Sequence, residues 1–265
     1  MEIIKKILRG LNIFSTNVFG SFMVIKRFLI ALIGILSYSR MNLVNHLHIE
    51  GTENLENLPE RNVIFLSNHQ TYFADVIAFY HIFCSVKWGF KNSINNPIYL
   101  LMPRVRMFFI AAEETMKSGF LPKLFAYAGA VTVKRTWRSE GQNVDRNLDM
   151  DGTEKIKQAL SDGWLVSFPQ GTTSPFAPIR KGTAHIIKNY QPIVVPVIIN
   201  GFRRAFDKKG LFFRKKGTVM TVKFKEAILF DFNAPVEDIL EIVKKSLEQE
   251  VVLTDVKKFK GLKWK

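Results

Sequence analysis

Three short apolar runs constrain this chain most: residues 63–66 (V-I-F-L), 164–168 (W-L-V-S-F) and 193–199 (I-V-V-P-V-I-I). Each is of strand length and apolar on both faces, the pattern of a strand in a sheet covered above and below. Around them lie stretches of helical character at 74–84, 98–112, 121–128 and 153–161. Val236, Ile239, Leu240, Val243 and Leu247 mark an amphipathic helix near the C-terminus. Further strands are expected at 47–50, where Leu47 and Ile49 share one face and His48 takes the other, and at 131–133, 219–224 and 228–230. Pro196 is expected to interrupt its strand, because proline donates nothing to a ladder. Residues 136–152 are polar and read as a surface loop. Strands alternating with helices predict an α/β fold, a mostly parallel sheet flanked by helices. A chain of 265 residues holds one such domain plus an appendage.

The appendage is the first 40 residues. Ile3, Ile4, Ile7, Leu8 and Leu11 share a helical face, with Lys5, Lys6 and Arg9 largely opposite. That is a basic amphipathic helix suited to anionic lipid. Residues 11–25 carry no charge, Lys26 and Arg27 interrupt, and residues 28–38 are again uncharged. Each uncharged piece falls short of the roughly 20 residues a spanning helix needs. Two half-inserted helices or a hairpin dipping into one leaflet fit better than a span; a cleaved signal peptide and a plain buried hairpin are the rival readings. A net charge of +15 favours an anionic partner, and 23 Phe favour a membrane over nucleic acid. The single cysteine, Cys84, excludes an intramolecular disulfide.

The chemistry is expected where the first apolar run ends. Residues 67–75 read S-N-H-Q-T-Y-F-A-D. His69 and Asp75 are six apart, which on a continuous helix would turn them about 240° from one another. A pair therefore requires His69 in the turn after the strand and Asp75 in the first turn of the next helix, reaching back. In that arrangement the carboxylate fixes the imidazole tautomer and leaves the other nitrogen to take a proton from a hydroxyl. The bland alternative makes His69 a turn residue and Asp75 a helix N-terminal charge. A second stretch, 168–174 (F-P-Q-G-T-T-S), follows the second run; the turn at Gly171 and Thr172 is expected to offer backbone N–H groups to an anion. His46, His48, His81 and His185 read as structural or surface residues, and Trp88, Trp137 and Trp164 as core or interface.

Taken together, these stretches resemble the glycerolipid acyltransferase family typified by 1-acylglycerol-3-phosphate acyltransferase. Four blocks stand in the family's order. Asn68, His69 and Asp75 resemble the first, residues 129–135 (G-A-V-T-V-K-R) the second, residues 168–174 the third with Arg180, Lys181 and Gly182 downstream, and Val195, Pro196 and Val197 the fourth. Gly51, Glu53, Asn54 and Leu55 match the family's lead-in, so the resemblance covers about residues 51–197. There are two departures. Five residues separate His69 from Asp75 where the family has four, and the third block has Gln170 for Glu and Thr173 for Arg. The missing Arg is the family's expected phosphate contact, and its loss removes a bidentate donor that Arg135, Arg180 or Lys181 could replace.

The resemblance implies direct acyl transfer, with His69 and Asp75 catalytic and Asn68, Arg135, Gln170, Gly171, Thr172, Arg180 and Lys181 binding substrate. No metal or cofactor is implied beyond an acyl-CoA or acyl carrier protein donor. The expected acceptor is a lysophospholipid, 1-acylglycerol-3-phosphate above all; a lyso-aminolipid, or a weakly active membrane-binding homologue, is the alternative. Residues 1–40 would form a membrane-associated helical segment and 41–265 the acyltransferase domain, at the cytoplasmic face of the cell membrane. Residues 203–216 carry seven basic residues and three Phe, and five lysines fall in the last nine positions, clusters suited to an anionic bilayer.

Overall fold

The structure, a computed structural model, describes residues 15–117, 119–134 and 150–249. The strands are β1 (His46–Glu50), β2 (Val63–Ser67), β3 (Met107–Ala112), β4 (Ala130–Val133), β5 (Trp164–Ser167), β6 (Ile193–Asn200) and β7 (Val219–Phe224). They form one seven-stranded sheet in the order β1-β7-β6-β2-β5-β3-β4. Neighbours run parallel except β6 and β7, which are antiparallel. The helices are α1 (Met23–Tyr38), α2 (Ala74–Lys87), α3 (Glu113–Lys117), α4 (Phe120–Gly129), α5 (Met150–Asp162), α6 (Lys181–Tyr190), α7 (Phe202–Ala205) and α8 (Val236–Ser246). The fold is α/β, a mostly parallel sheet flanked by helices.

Central β2 explains the unbroken apolar runs. Val63 and Phe65 enter a core built with Leu29 and Ile33 of α1, Phe79 and Phe83 of α2, and Phe125 of α4. Ile64 and Leu66 point the other way, into a core with Ile156 of α5, Ile187 of α6 and Ile239 of α8. Successive side chains alternate between faces, so a strand buried on both needs an apolar residue at every position. Each such side chain is worth about 1.5–3 kcal/mol on burial. The Phe65 ring adds aromatic contacts, with centroids 4.6 Å from Phe83 and 5.2 Å from Trp164.

Three sequence expectations are corrected. Residues 98–112 do not form a helix: a short 3-10 turn, Pro97–Leu100, is followed by irregular chain through Pro103 and then by β3. Proline cannot continue a helix, and parallel pairing of Met107, Phe108 and Phe109 with Trp164, Leu165 and Val166 fixes the rest as strand. Pro196 does not interrupt β6. Its carbonyl accepts from the Lys225 N–H beyond the end of β7, and an N–H on the same residue would point to that same side, where the β6–β7 ladder has already stopped at Val197. Residues 228–230 contribute a single bridge, Val194 to Ile228, and no strand.

Lys26 and Arg27 likewise do not break the N-terminal segment, since α1 runs through both. Met23, Lys26, Leu29, Ile30, Ile33, Gly34 and Ser37 form its buried face. Lys26 reaches under the sheet edge: its ammonium donates to the Met107 carbonyl at 2.5 Å and lies 3.6 Å from the Phe108 ring centroid. Burial lowers the Lys26 pKa to about 7, an effect that Asp162 partly offsets and Arg106 reinforces. Ser37 meets His81 of α2 at 2.9 Å, and His81 meets the Tyr99 hydroxyl at 2.9 Å. No helix among the described residues is long and apolar enough to cross a membrane. The basic amphipathic stretch expected at 3–11 and the lysine-rich end lie outside the described residues.

Candidate active site

The turn between β2 and α2 opens at the C-terminal edge of the parallel strands, where α/β sheets place their sites. Asn68 holds its base to the sheet. The Asn68 amide donates to the Ile199 carbonyl at 2.8 Å, and its oxygen accepts from the Ile199 N–H at 2.8 Å. Both ends of this amide are thus engaged with β6. Gln70 adds a bond to the Ile199 carbonyl at 3.0 Å.

Asp75 sits in the first turn of α2, fully buried, and reaches back into this turn. One of its oxygens lies 2.8 Å from His69 Nδ1 and accepts from the N–H groups of Gln70 at 2.6 Å and Thr71 at 3.0 Å. The other accepts from the Thr71 hydroxyl at 2.8 Å. A carboxylate surrounded by donors is an acceptor only, so the shared proton belongs on Nδ1 and the Nε2 lone pair is left free. The extra residue between His69 and Asp75 is absorbed by the turn, which ends before the helix begins. The imidazole stacks on Phe168, with ring centroids 3.9 Å apart and planes at 21°. No described residue hydrogen-bonds Nε2.

The loop after β5 lies opposite. Gly171 adopts φ 63°, and its N–H closes a tight turn on the Phe168 carbonyl at 2.9 Å. This corrects the expectation that the Gly171 N–H is offered to an anion: the turn that needs the glycine also consumes its donor. Gln170 is buried and faces its own loop, donating to the Ala177 carbonyl and to Gln249 Oε1, each at 2.9 Å. The Thr173 side chain is also buried. Arg180 donates from Nε to the Gln170 carbonyl at 3.3 Å, and Lys181 faces Glu237 of α8 at 3.3 Å on the surface. Arg135 and Trp137 lie outside the described residues.

Between the His69 turn and this loop opens a cleft of about 780 Å³. His69, Thr172, Arg180 and Lys208 line its polar parts, and Ile110, Met116, Val133 and Ile156 line apolar ones. Asn68, Gln170 and Lys181 do not line it. No described group of His, Cys, Asp and Glu is placed to hold a metal ion.

One part of the site was hidden in the basic segment 203–216. It does more than display charge, because it straps the His69 turn from outside. The N–H groups of Tyr72 and Phe73 donate to the carbonyls of Lys208 and Lys209 at 3.1 and 2.9 Å. Gly210 has φ +80°, and a Cβ there would lie 2.5 Å from the Ala74 nitrogen, so glycine alone fits. Arg203 Nη2 donates to the His69 carbonyl at 3.0 Å and to the Thr173 carbonyl. Burial lowers the Arg203 pKa, and the negative charge of Asp75 opposes the shift. The Asn200–Gly201 pair at the end of β6 signals a turn there, but nothing in a run of cations marks which one turns inward.

A family model described as Acyltransferase matches residues 46–200, more than half of the chain. The chain belongs to the acyltransferase family. The matched span runs from β1 through β6, so it contains His69, Asp75 and the loop after β5, while Arg203 lies just past its end. Among solved structures, this acyltransferase is similar to the 1-acyl-sn-glycerophosphate (LPA) acyltransferase PlsC from Thermotoga maritima, at 21% identity over 89% of this chain and 80% of that chain, with a TM-score of 0.48. No curated protein matches the acyltransferase sequence.

Proposed function

We propose that this acyltransferase moves a fatty acyl group from a thioester, acyl-CoA or acyl carrier protein, to the hydroxyl of a lysophospholipid, 1-acylglycerol-3-phosphate foremost, giving phosphatidic acid. The observation that carries the reading is the free Nε2 of His69, whose Nδ1 is engaged by a fully buried carboxylate. In the reaction Nε2 takes the acceptor's hydroxyl proton as its oxygen bonds to the thioester carbonyl carbon. The carbon–sulfur bond then breaks, and the imidazolium returns the proton to the departing thiolate. Asp75 stabilises the imidazolium while it exists. Arg180 and Lys208 are the described cations lining the cleft, and they are assigned the acceptor's phosphate in place of the arginine absent at Thr173. The apolar lining accommodates acyl chain. Asn68 and Gln170 support the site by holding the turn and the loop; Gly171 shapes that loop, and Thr172 lines the cleft.

A membrane surface is the assigned partner, at the cytoplasmic face of the cell membrane. Phe28, Leu32, Ile35 and Leu36 of α1 are exposed, as are Leu101 nearby and Phe120 and Tyr127 of α4. Apolar side chains exposed together on packed elements of a chain of charge +15 suit an anionic bilayer.

The acceptor is tested by offering labelled acyl donor with 1-acylglycerol-3-phosphate and with a phosphate-free lyso-aminolipid, side by side. Product from the phosphate-bearing acceptor, weakened by Arg180→Ala, is expected. Product from the aminolipid alone would move the acceptor to that class, the reading that the buried Thr173 favours.

A further inference from the structure

The cleft is bounded by two separate loops, and its chemistry depends on their distance apart. His69 rides on the turn after β2, while the Gly171–Thr172 turn rides on the loop after β5. β2 and β5 are adjacent strands, but both turns lie beyond the ends of their ladder, which pairs Val63 through Leu66 with Trp164 through Ser167. Past that point the Phe168 ring lies against the His69 ring, a contact that fixes separation but permits sliding. A directional link comes from outside, from α7.

We propose that Arg203 is a positioning residue for the acyl-transfer site, clamping the turn that carries the base to the loop that faces it. Arg203 Nη2 donates to the carbonyl of His69 itself and to the carbonyl of Thr173, one hydrogen to each. The Arg203 N–H is tied to Gln70 Oε1 at 3.3 Å, so backbone and side chain hold the same turn. The Arg203 carbonyl accepts from Arg214 at 3.4 Å, anchoring α7 to the strap that follows it. Arg203 does not line the cleft, and both Nη2 hydrogens are engaged with backbone, so it acts through His69 and not on substrate. The position where the resembled family carries arginine is Thr173 here. Arg180 meets this loop at the Gln170 carbonyl, and a second guanidinium, from α7, reaches the Thr173 backbone.

The inference rests on the acyl-transfer reading, and its test separates the two. Arg203→Met keeps the apolar stem and removes the donors. Arg203→Lys restores three donors on one nitrogen, as both observed bonds leave a single nitrogen, but on a stem one bond shorter. With wild-type enzyme active and His69→Ala inactive, Arg203→Met is expected to lower kcat about 10- to 100-fold with phosphate-bearing and phosphate-free acceptors alike, as a misplacement of about 1 Å does. KM is expected to change little, and Arg203→Lys should recover part of the loss. Hydrogen exchange supplies a second readout that needs no turnover: amides of 68–73 and 168–176 should exchange faster in Arg203→Met, with thermal unfolding near that of wild type. Wild-type kcat and exchange in Arg203→Met would overturn the proposal. So would a rise in KM confined to the phosphate-bearing acceptor, which would make Arg203 a substrate contact. If the wild type transfers no acyl group, the acyl-transfer reading fails, and the exchange comparison still decides the clamp.

Discussion

Gln170 shows how a departure at one residue is accommodated by another. The resembled family places a glutamate here; this chain buries an amide whose nitrogen faces two acceptors, the Ala177 carbonyl and Gln249 Oε1. Gln249 Oε1 also accepts from the Phe176 N–H at 3.2 Å, so the residues just beyond α8 and the loop after β5 are held together through one amide pair. Gln170→Glu would set a carboxylate against two oxygens in a site that is 1% exposed. The expected cost is about 1–3 kcal/mol, read as a lower urea midpoint at neutral pH, with partial recovery at a pH that protonates the new carboxyl. Unchanged stability would mean that Gln249 turns its amide at no cost. Gln170 could be marked from sequence as part of a block, but its direction could not. Whether a side chain faces the cleft or its own loop depends on Gln249, 79 residues away. The His69–Asp75 geometry was more legible, because helical rotation over six residues excludes most alternatives.

At the scale of the element, α1 is held by polar groups set in an apolar contact. Ser37 Oγ donates to the Ile33 carbonyl at 2.7 Å, so it accepts from His81 Nε2–H, and His81 Nδ1 accepts from the Tyr99 hydroxyl. This network needs a neutral imidazole. Burial lowers the His81 pKa from 6.5 to about 4. The unfolded chain therefore binds a proton at this site that the folded chain does not between pH 6.5 and about 4. The stability contributed by neutral His81 is complete above the unfolded value and is lost as pH falls through that window, about 3 kcal/mol in all. His81→Leu should flatten the stability profile over that range, measured by urea unfolding between pH 4 and 7; an unchanged slope would count against the network. Lys26 has the same sign in a different window: its folded pKa is about 7 against 10.5, so its contribution falls as pH drops from 10.5 to about 7. The sequence showed α1 as an apolar stretch broken by two charges. A lysine in an apolar run reads as an interruption unless a carbonyl waits for it, and the Met107 carbonyl lies 81 residues away.

For the whole molecule, the order of strands and helices was legible because a parallel sheet leaves unbroken apolar runs in the sequence. One exception was 228–230, which forms a single bridge and no strand; the other was 98–112, where β3 reads as helix: apolar residues without alternation carry no period, and Met107–Ala112 becomes a strand through pairing with β5 and β4. The proposed membrane partnership would be a property of the assembled surface. Phe28 and Leu36 of α1 are 65% and 68% exposed although neighbouring residues of the same helix are buried. The paired substitution Phe28→Asp and Leu36→Asp should weaken sedimentation with anionic vesicles at least tenfold while leaving thermal unfolding close to that of wild type; vesicle binding unaffected by it would move the docking face elsewhere. Acyl transfer by the free imidazole nitrogen of His69 is the central claim, and the most direct measurement is the rate of acyl transfer by purified wild-type and His69→Ala protein from a labelled thioester to 1-acylglycerol-3-phosphate. The account predicts a loss of about 10²- to 10⁴-fold in kcat with folding intact; a His69→Ala enzyme within a few-fold of wild type would contradict it.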